Sequence, residues 1–154
     1  MEKYIEIINI VVPKHSDRTI LIKQLDKIQS NPEDYIDNND RLLDLSDDYL
    51  WLGLIDLLIT KGYAFEIDWK DDYSTAKDGI NKLLSNWQLK DEMSDDDLYD
   101  KDAEKFFPIV NSLLSNTNCQ LFNMDIDSDS YVSTMVNIGN EEKLLDMDNR
   151  ISKY

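Results

Sequence analysis

The segment from Tyr49 to Thr60 constrains the fold more than any other part of the chain. Its side chains are apolar on nearly every face of a helix, and only Gly53 and Asp56 interrupt them. A helix that is apolar all round is usually buried inside a domain, and this one is too short to span a bilayer. Ser46-Asp47-Asp48 before it and Gly62 after it suit the two ends of a helix. The sequence therefore predicts a central buried helix.

Strands are predicted on both sides of this helix in the sequence. Tyr4 to Val12 is dense in β-branched residues and ends at Pro13, which favours a buried strand. Cys119 to Ile126 and Tyr131 to Ile138 are expected to form an antiparallel hairpin. A further strand is predicted directly after the central helix, where apolar residues alternate with mostly polar ones. The side chains expected to face inward are those of Tyr63, Phe65, Ile67 and Trp69.

Capping residues and helical spacing predict the other helices. A short helix is possible at 32–36, and Pro108 is expected to kink one helix or delay its start. The order of elements favours an α+β fold with a small, mostly antiparallel sheet covered by helices. Length favours a single domain over residues 1–154. The longer predicted helices run from Ser16 or Asp17 to Ser30, from Ser74 to Trp87, from Asp102 to Ser115 and from Glu141 to Ile151.

The chain is strongly acidic. Its 32 Asp and Glu residues against 16 Lys and Arg residues give a formal net charge of −16. Such a surface repels nucleic acid and anionic lipid, so neither is expected as a direct partner. It attracts basic proteins and speeds their encounter. The alternative is that the acidity serves only solubility.

The start of the chain does not resemble a signal peptide, and Cys119 is the single cysteine. One thiol cannot form a disulfide within the chain, which favours a reduced, cytoplasmic setting. A single histidine, His15, excludes zinc and iron sites built from several histidines. The isolated glycines form no phosphate-binding loop. No cofactor and no metal are expected.

Three aspartates cluster at the end of the strand that follows the central helix. Asp68, Asp71 and Asp72 stand beside Trp69 and Tyr73. Paired carboxylates could carry out acid–base chemistry or hold magnesium. The favoured interpretation is that they form the charged rim of a binding surface for a protein.

A second acidic stretch, from Leu89 to Asp102, is predicted to be a long surface loop. It contains Met93, Leu98 and Tyr99 among its acids. Apolar anchors among acids suit a basic partner, and long loops are often functional. The partner-binding residues predicted here are Asp95, Asp96, Asp97, Tyr99 and Asp100.

The hairpin turn begins like a calcium-binding loop. Asp125, Asp127 and Asp129 occupy its first, third and fifth positions, but Ser130 replaces the required glycine and Val136 replaces the bidentate glutamate. We therefore expect an Asx-rich turn and no calcium site.

Two stretches, Trp51 to Lys70 and Phe122 to Tyr131, resemble a family of small bacterial proteins of unknown function. The resemblance implies no catalytic residues. Some small acidic proteins of this general kind are immunity proteins, which neutralise a toxin, and that role is taken here by analogy.

The leading hypothesis is an acidic protein-binding module, an immunity-type inhibitor that occludes a basic toxin domain. It is not expected to be an enzyme. The alternatives are a small hydrolase or metal-dependent enzyme that uses Asp68, Asp71 and Asp72, and a DNA-mimic inhibitor whose carboxylates imitate phosphates. The oligomeric state stays open.

Overall fold

The computed structural model describes residues 1–39, 48–89, 98–99 and 101–154. None of the helices in these ranges is long and apolar enough to cross a membrane. The helices are α1 (Glu2–Val11), α2 (His15–Ser30), α3 (Pro32–Ile36), α4 (Tyr49–Lys61), α5 (Tyr73–Asn86), α6 (Ala103–Leu114) and α7 (Glu141–Met147). The strands are β1 (Ala64–Asp68), β2 (Cys119–Met124), β3 (Ser130–Asn137) and β4 (Ile151–Lys153).

The prediction of a first strand from Tyr4 to Val12 is wrong, because this segment lies in α1. Tyr4, Ile7, Ile8 and Val11 are buried with the spacing of one helical face. Their β-branched neighbours favour a strand locally, but such preferences largely express how side chains pack. Here the apolar face of the helix packs on the sheet, and tertiary burial overrides the local preference.

The predicted central helix is confirmed as α4. The Asp48 carboxylate accepts a hydrogen bond from the Trp51 backbone N–H at 3.2 Å and so caps the first turn. Gly62 ends the helix with φ of 77°, a left-handed conformation that favours glycine. Trp51 and Leu54 are 1% and 0% exposed. The helix therefore lies in the core, as its composition indicates.

The four strands form one sheet in the order β1-β3-β2-β4, and each neighbouring pair is antiparallel. The predicted hairpin is confirmed as β2 and β3, with Phe122 opposite Thr134. Strand β1 pairs with the other edge of β3, where Phe65 lies opposite Ser133. The hairpin therefore forms the centre of the sheet.

The predicted terminal helix from Glu141 to Ile151 is too long. Helix α7 ends at Met147, and the chain then turns at Asp148, whose carboxylate accepts a hydrogen bond from the Arg150 backbone N–H at 3.1 Å. Ile151 is buried and begins β4, which pairs with β2. The Asx turn at Asp148 thus ends the helix and allows a fourth strand to form.

Helices cover both faces of the sheet. One face carries Ala64, Phe122 and Val132 and contributes to a core cluster with residues of α1, α2, α4 and α7. The opposite face carries Phe65 and Leu121 and packs with residues of α5 and α6. The α+β fold with a helix-covered antiparallel sheet is therefore confirmed.

Strand β1 shows the consequence of having two cores. Tyr63 and Ala64 belong to the first cluster, whereas Phe65 and Ile67 belong to the second. The expectation of one shared inward face is wrong, because both faces of the strand are covered. Trp69, expected to face inward, lies beyond the end of β1 and is 51% exposed.

Candidate functional site

The aspartates at the end of β1 form a tight turn. The Asp68 carboxylate accepts a hydrogen bond from the Lys70 N–H at 2.9 Å, and the Asp71 carboxylate accepts one from the Asp68 N–H at 2.8 Å. The Asp71 N–H also donates to the Asp68 carbonyl at 2.9 Å. These bonds use the two carboxylates to fold the backbone, and they present the intervening Trp69 and Lys70 to the outside.

Asp72 connects this turn to two helices. Its carboxylate caps α5 by accepting hydrogen bonds from the Ser74 hydroxyl at 2.6 Å and the Thr75 N–H at 3.3 Å. These bonds lower the pKa of Asp72, the hydroxyl of Ser74 contributing most. The Asp72 backbone also forms an antiparallel bridge with Asp102, the residue before α6. The beginning of α6 is thereby held beside the end of β1.

The Trp69 side chain is exposed, although its backbone is held in place. Its backbone N–H donates to the Asp129 carbonyl at 3.0 Å, which fixes it against the turn of the β2–β3 hairpin. The Lys70 ammonium lies 5.1 Å from the centroid of the Trp69 ring, a cation–π geometry. An exposed aromatic side chain is thus held by a structured backbone.

Two depressions adjoin Trp69, and both are also lined by Tyr131. The first, of about 450 Å³, is lined by Trp69, Lys70, Asp102, Ala103, Glu104 and Tyr131. The second, of about 300 Å³, is lined by Trp69, Asn123, Asp125, Ser128, Asp129, Ser130 and Tyr131. We call the first depression the Trp69 groove, and the two together the Trp69 surface.

Carboxylates dominate the charge of the Trp69 surface. Four line it, from Asp102, Glu104, Asp125 and Asp129, against the single ammonium of Lys70. Burial raises the pKa of Tyr131, and the negative charges of Glu104 and Asp102 raise it further. The carboxylates of the groove therefore act on the Tyr131 hydroxyl and disfavour its ionised form.

Stacked aromatic rings support the surface from below. Phe107 lies 5.8 Å from Tyr131 and 4.0 Å from Tyr154, measured between ring centroids. The Tyr154 hydroxyl lies 2.5 Å from the hydroxyl of buried Ser133. Because Phe107 is fully buried, Tyr131 has a rigid base and presents one side to the groove.

The structure brings together part of the predicted binding set. Asp68, Asp71 and Asp72 flank Trp69 and Lys70 in the chain, but none of the three is among the residues that line the two depressions. Asp95, Asp96, Asp97 and Asp100 lie outside the described residues.

Tyr99 of the predicted loop is described, and its side chain is 58% exposed. It precedes Asp102 by three residues and therefore lies within about 11 Å of it along the chain. Its neighbour Leu98 is 1% exposed and belongs to the second core cluster. The end of the acidic stretch is thus anchored close to the groove.

Sequence reasoning did not assign Tyr131 or Glu104 to a site. Tyr131 reads as an ordinary strand residue, and Glu104 as an acid in the first turn of a helix. The signal that could have identified the surface is Trp69, a large apolar residue followed by Lys70 and two aspartates. The bridge between Asp72 and Asp102 is a long-range contact that spacing alone does not indicate.

The turn that resembles a calcium loop is held by hydrogen bonds between its own side chains and backbone. The Asp125 carboxylate accepts a hydrogen bond from the Asp127 N–H at 2.8 Å, and the Ser128 hydroxyl accepts one from the Ser130 N–H at 3.1 Å. Asp127 has φ of 56°, a left-handed conformation that aspartate tolerates in turns. Within the described ranges, no group of three or more ligating side chains is placed to hold a metal ion.

Comparison with known proteins identifies a family. No curated protein and no solved structure matches the chain significantly. The family described as "Domain of unknown function (DUF6630)" matches residues 3–152, which is nearly the whole sequence. The chain therefore belongs to the DUF6630 family.

Proposed function

We propose that this protein is a protein-binding module whose Trp69 surface docks a basic partner. The exposure of Trp69 beside four acidic residues that line the adjoining depressions is the observation that carries the proposal. Tryptophan is enriched among residues that dominate binding energy, and its burial by a partner would remove a large apolar area from water. A side chain 51% exposed on a structured turn is placed to supply that energy.

Charge complementarity indicates which kind of partner fits. The Trp69 surface is negative, and the whole chain has a formal charge of −16. Opposite charges across an interface accelerate association and disfavour acidic competitors. A basic protein is therefore favoured over an acidic protein, a nucleic acid or an anionic membrane.

The specific form of the proposal is an immunity-type inhibitor that covers a basic toxin domain. This form rests on analogy with small acidic inhibitors and on the same surface. A rigid aromatic centre with an acidic rim would occlude a cationic active site by occupying it. A DNA-mimic inhibitor would use the carboxylates alone and would not need Trp69.

An enzyme that uses Asp68, Asp71 and Asp72 is the rival from another class. A general acid needs a raised pKa so that it holds its proton near neutral pH. The pKa of Asp72 is lowered instead, and all three carboxylates accept backbone hydrogen bonds. These contacts favour a structural role for the three carboxylates over acid–base chemistry.

The test is affinity capture from extracts of the native cell on the immobilised wild-type protein, with Trp69→Ala and Leu113→Ala as parallel columns. Leu113 is 50% exposed and does not line either depression of the Trp69 surface, so it is a matched control. We expect a basic protein to be retained by the wild type and Leu113→Ala, to be lost from Trp69→Ala, and to elute with salt. Equal retention on all three columns, or capture of acidic proteins only, would contradict the proposal.

The immunity role has a separate test. The captured partner is expressed in a bacterial host with and without this protein. Growth arrest that the wild type relieves and Trp69→Ala does not relieve is the expected result. A partner that is harmless when expressed alone would contradict the immunity role but not the proposed binding function.

A further inference from the structure

We infer that the Trp69 groove is a binding site for a single arginine side chain, contributed by the basic partner. The inference deepens the proposed function and rests on it for the identity of the arginine donor. The geometry of the groove supports a guanidinium ligand for three separate reasons.

The first reason is that the Trp69 ring already attracts a cation. The Lys70 ammonium lies 5.1 Å from the ring centroid, within the range at which a cation is drawn to the face of an indole. Lys70 is exposed and its side chain is long and flexible, so a cation that binds the indole more tightly can displace its ammonium group. A planar guanidinium stacks on an aromatic face and is more weakly hydrated than an ammonium, which makes arginine the better competitor.

The second reason is the position of the carboxylates. Glu104 and Asp102 line the same groove as Trp69. Asp102 is engaged by Lys105 at 2.5 Å, whereas Glu104 has no hydrogen bond or ion pair with any other described residue. Its carboxylate is exposed in the first turn of α6 and is available to a partner. A guanidinium can bind such a carboxylate through two parallel hydrogen bonds.

The third reason is the size and rigidity of the groove. Its volume of about 450 Å³ exceeds what one arginine side chain needs, and it lies between Trp69 and Tyr131. Tyr131 rests on buried Phe107, and the backbone of Trp69 is tied to the hairpin turn by the hydrogen bond from its N–H to the Asp129 carbonyl. A wall and a backbone that are ordered before the ligand binds lower the cost of binding.

The probe is acetyl-arginine methylamide, with acetyl-lysine methylamide as its match in charge. Titrations are followed in ¹⁵N–¹H spectra by the Trp69 indole N–H, assigned with Trp69→Phe, and by the backbone amides of Ala103 and Tyr131. We expect saturable shifts with a Kd in roughly the millimolar range for the arginine probe, and clearly weaker binding of lysine.

Variants separate the contributions. Trp69→Ala is expected to weaken arginine binding about tenfold, and Glu104→Gln about threefold. Glu142→Gln is the control for Glu104→Gln, since Glu142 is an exposed glutamate in the first turn of α7. Lys70→Gln is expected to tighten binding because the competing cation is gone. Lys82→Gln, beyond the opposite end of β1, removes the same charge and controls for general attraction.

The outcomes are distinct. Shifts that do not saturate, equal binding of the two probes, or Lys70→Gln and Glu104→Gln matching their controls would overturn the arginine site. A basic partner captured by a protein that ignores the arginine probe would sink this inference and leave the proposed function standing. If the protein binds the arginine probe but captures no basic protein, the arginine site stands and the proposed function is contradicted.

Discussion

Arg150 binds Asp148 through two parallel hydrogen bonds, from Nε to Oδ1 at 2.9 Å and from Nη2 to Oδ2 at 2.7 Å. Lys3 of α1 contacts the same carboxylate at 2.7 Å, and Arg150 also donates to Asp48 at 2.7 Å. Because Asp48 caps α4, the pair joins the beginning of the chain, the central helix and the last strand.

Replacing Asp148 with Asn should destabilise the fold strongly. The Asp148 side chain is 3% exposed, and its loss leaves Arg150 and Lys3 without their shared carboxylate. Arg150 and Lys3 are 26% and 41% exposed, so water can solvate the cations that are left, and the cost should be about 1.5–3 kcal/mol, the range for hydrogen bonds to charged groups. Urea denaturation should show a lower midpoint for Asp148→Asn. Asp146→Asn, at an exposed acid in the last turn of α7, should leave the midpoint nearly unchanged.

The contribution of Asp148 should depend on pH. Hydrogen bonds from Arg150 above all, and from Lys3, hold the pKa of Asp148 well below its ordinary value. A lowered folded-state pKa means that the stabilisation is complete above the unfolded-state pKa of about 4. It is then lost as the pH falls towards the folded-state value. The difference in unfolding free energy between wild type and Asp148→Asn should be constant from pH 7 to 5 and shrink below pH 4. A difference that persists undiminished at pH 2.5 would contradict this assignment.

Truncation of Trp51 should destabilise the fold far more than truncation of Trp69. Trp51 is buried, its indole N–H donates to the Asp125 carbonyl at 2.8 Å, and Arg150 lies 4.2 Å from its ring centroid. Trp51→Ala should lower the unfolding free energy by about 3–5 kcal/mol. Trp69→Ala should have little effect on stability, because half of its surface is already in water. Thermal melts of both variants decide the matter. An unchanged melting temperature for Trp51→Ala would contradict the placement of α4 in the core.

The acidic stretch before α6 should act through long-range attraction. Replacing Asp95, Asp96, Asp97 and Asp100 with Asn or Ser should slow association with a basic partner at low salt. The effect should fade as salt screens the charges, since the screening length is about 8 Å at physiological ionic strength. Association rates measured against salt concentration test this. Wild-type rates at every salt concentration would exclude the stretch as a steering surface.

Much of the fold is predictable from local sequence. Asp48 and Gly62 bracket α4, and the hairpin of β2 and β3 follows from its alternation and its Asx-rich turn. These features depend on interactions between residues a few positions apart, which a sequence displays directly.

The errors occur where distant residues decide the structure. Tyr4 to Val12 has the composition of a strand, but the sheet offers a face that a helix covers. The segment up to Ile151 reads as one helix, but Asp148 bonds to Arg150 and turns the chain, and Ile151 begins a strand. The same limit applies to the candidate site, where a bridge between Asp72 and Asp102 brings the beginning of α6 to the end of β1. The aspartates of the rim are visible in the sequence, whereas the association of Trp69 with Tyr131 and Glu104 is not.

The central claim is that Trp69 lies at the centre of an interface with a basic protein. Photo-crosslinking in the native cell tests it most directly, with p-benzoylphenylalanine placed at position 69 or, as the matched exposed control, at position 113. We expect one dominant crosslinked protein of basic isoelectric point at position 69, absent at position 113 and reduced by Glu104→Gln. The same crosslinked species at both positions, or no crosslinked protein at position 69, would contradict it.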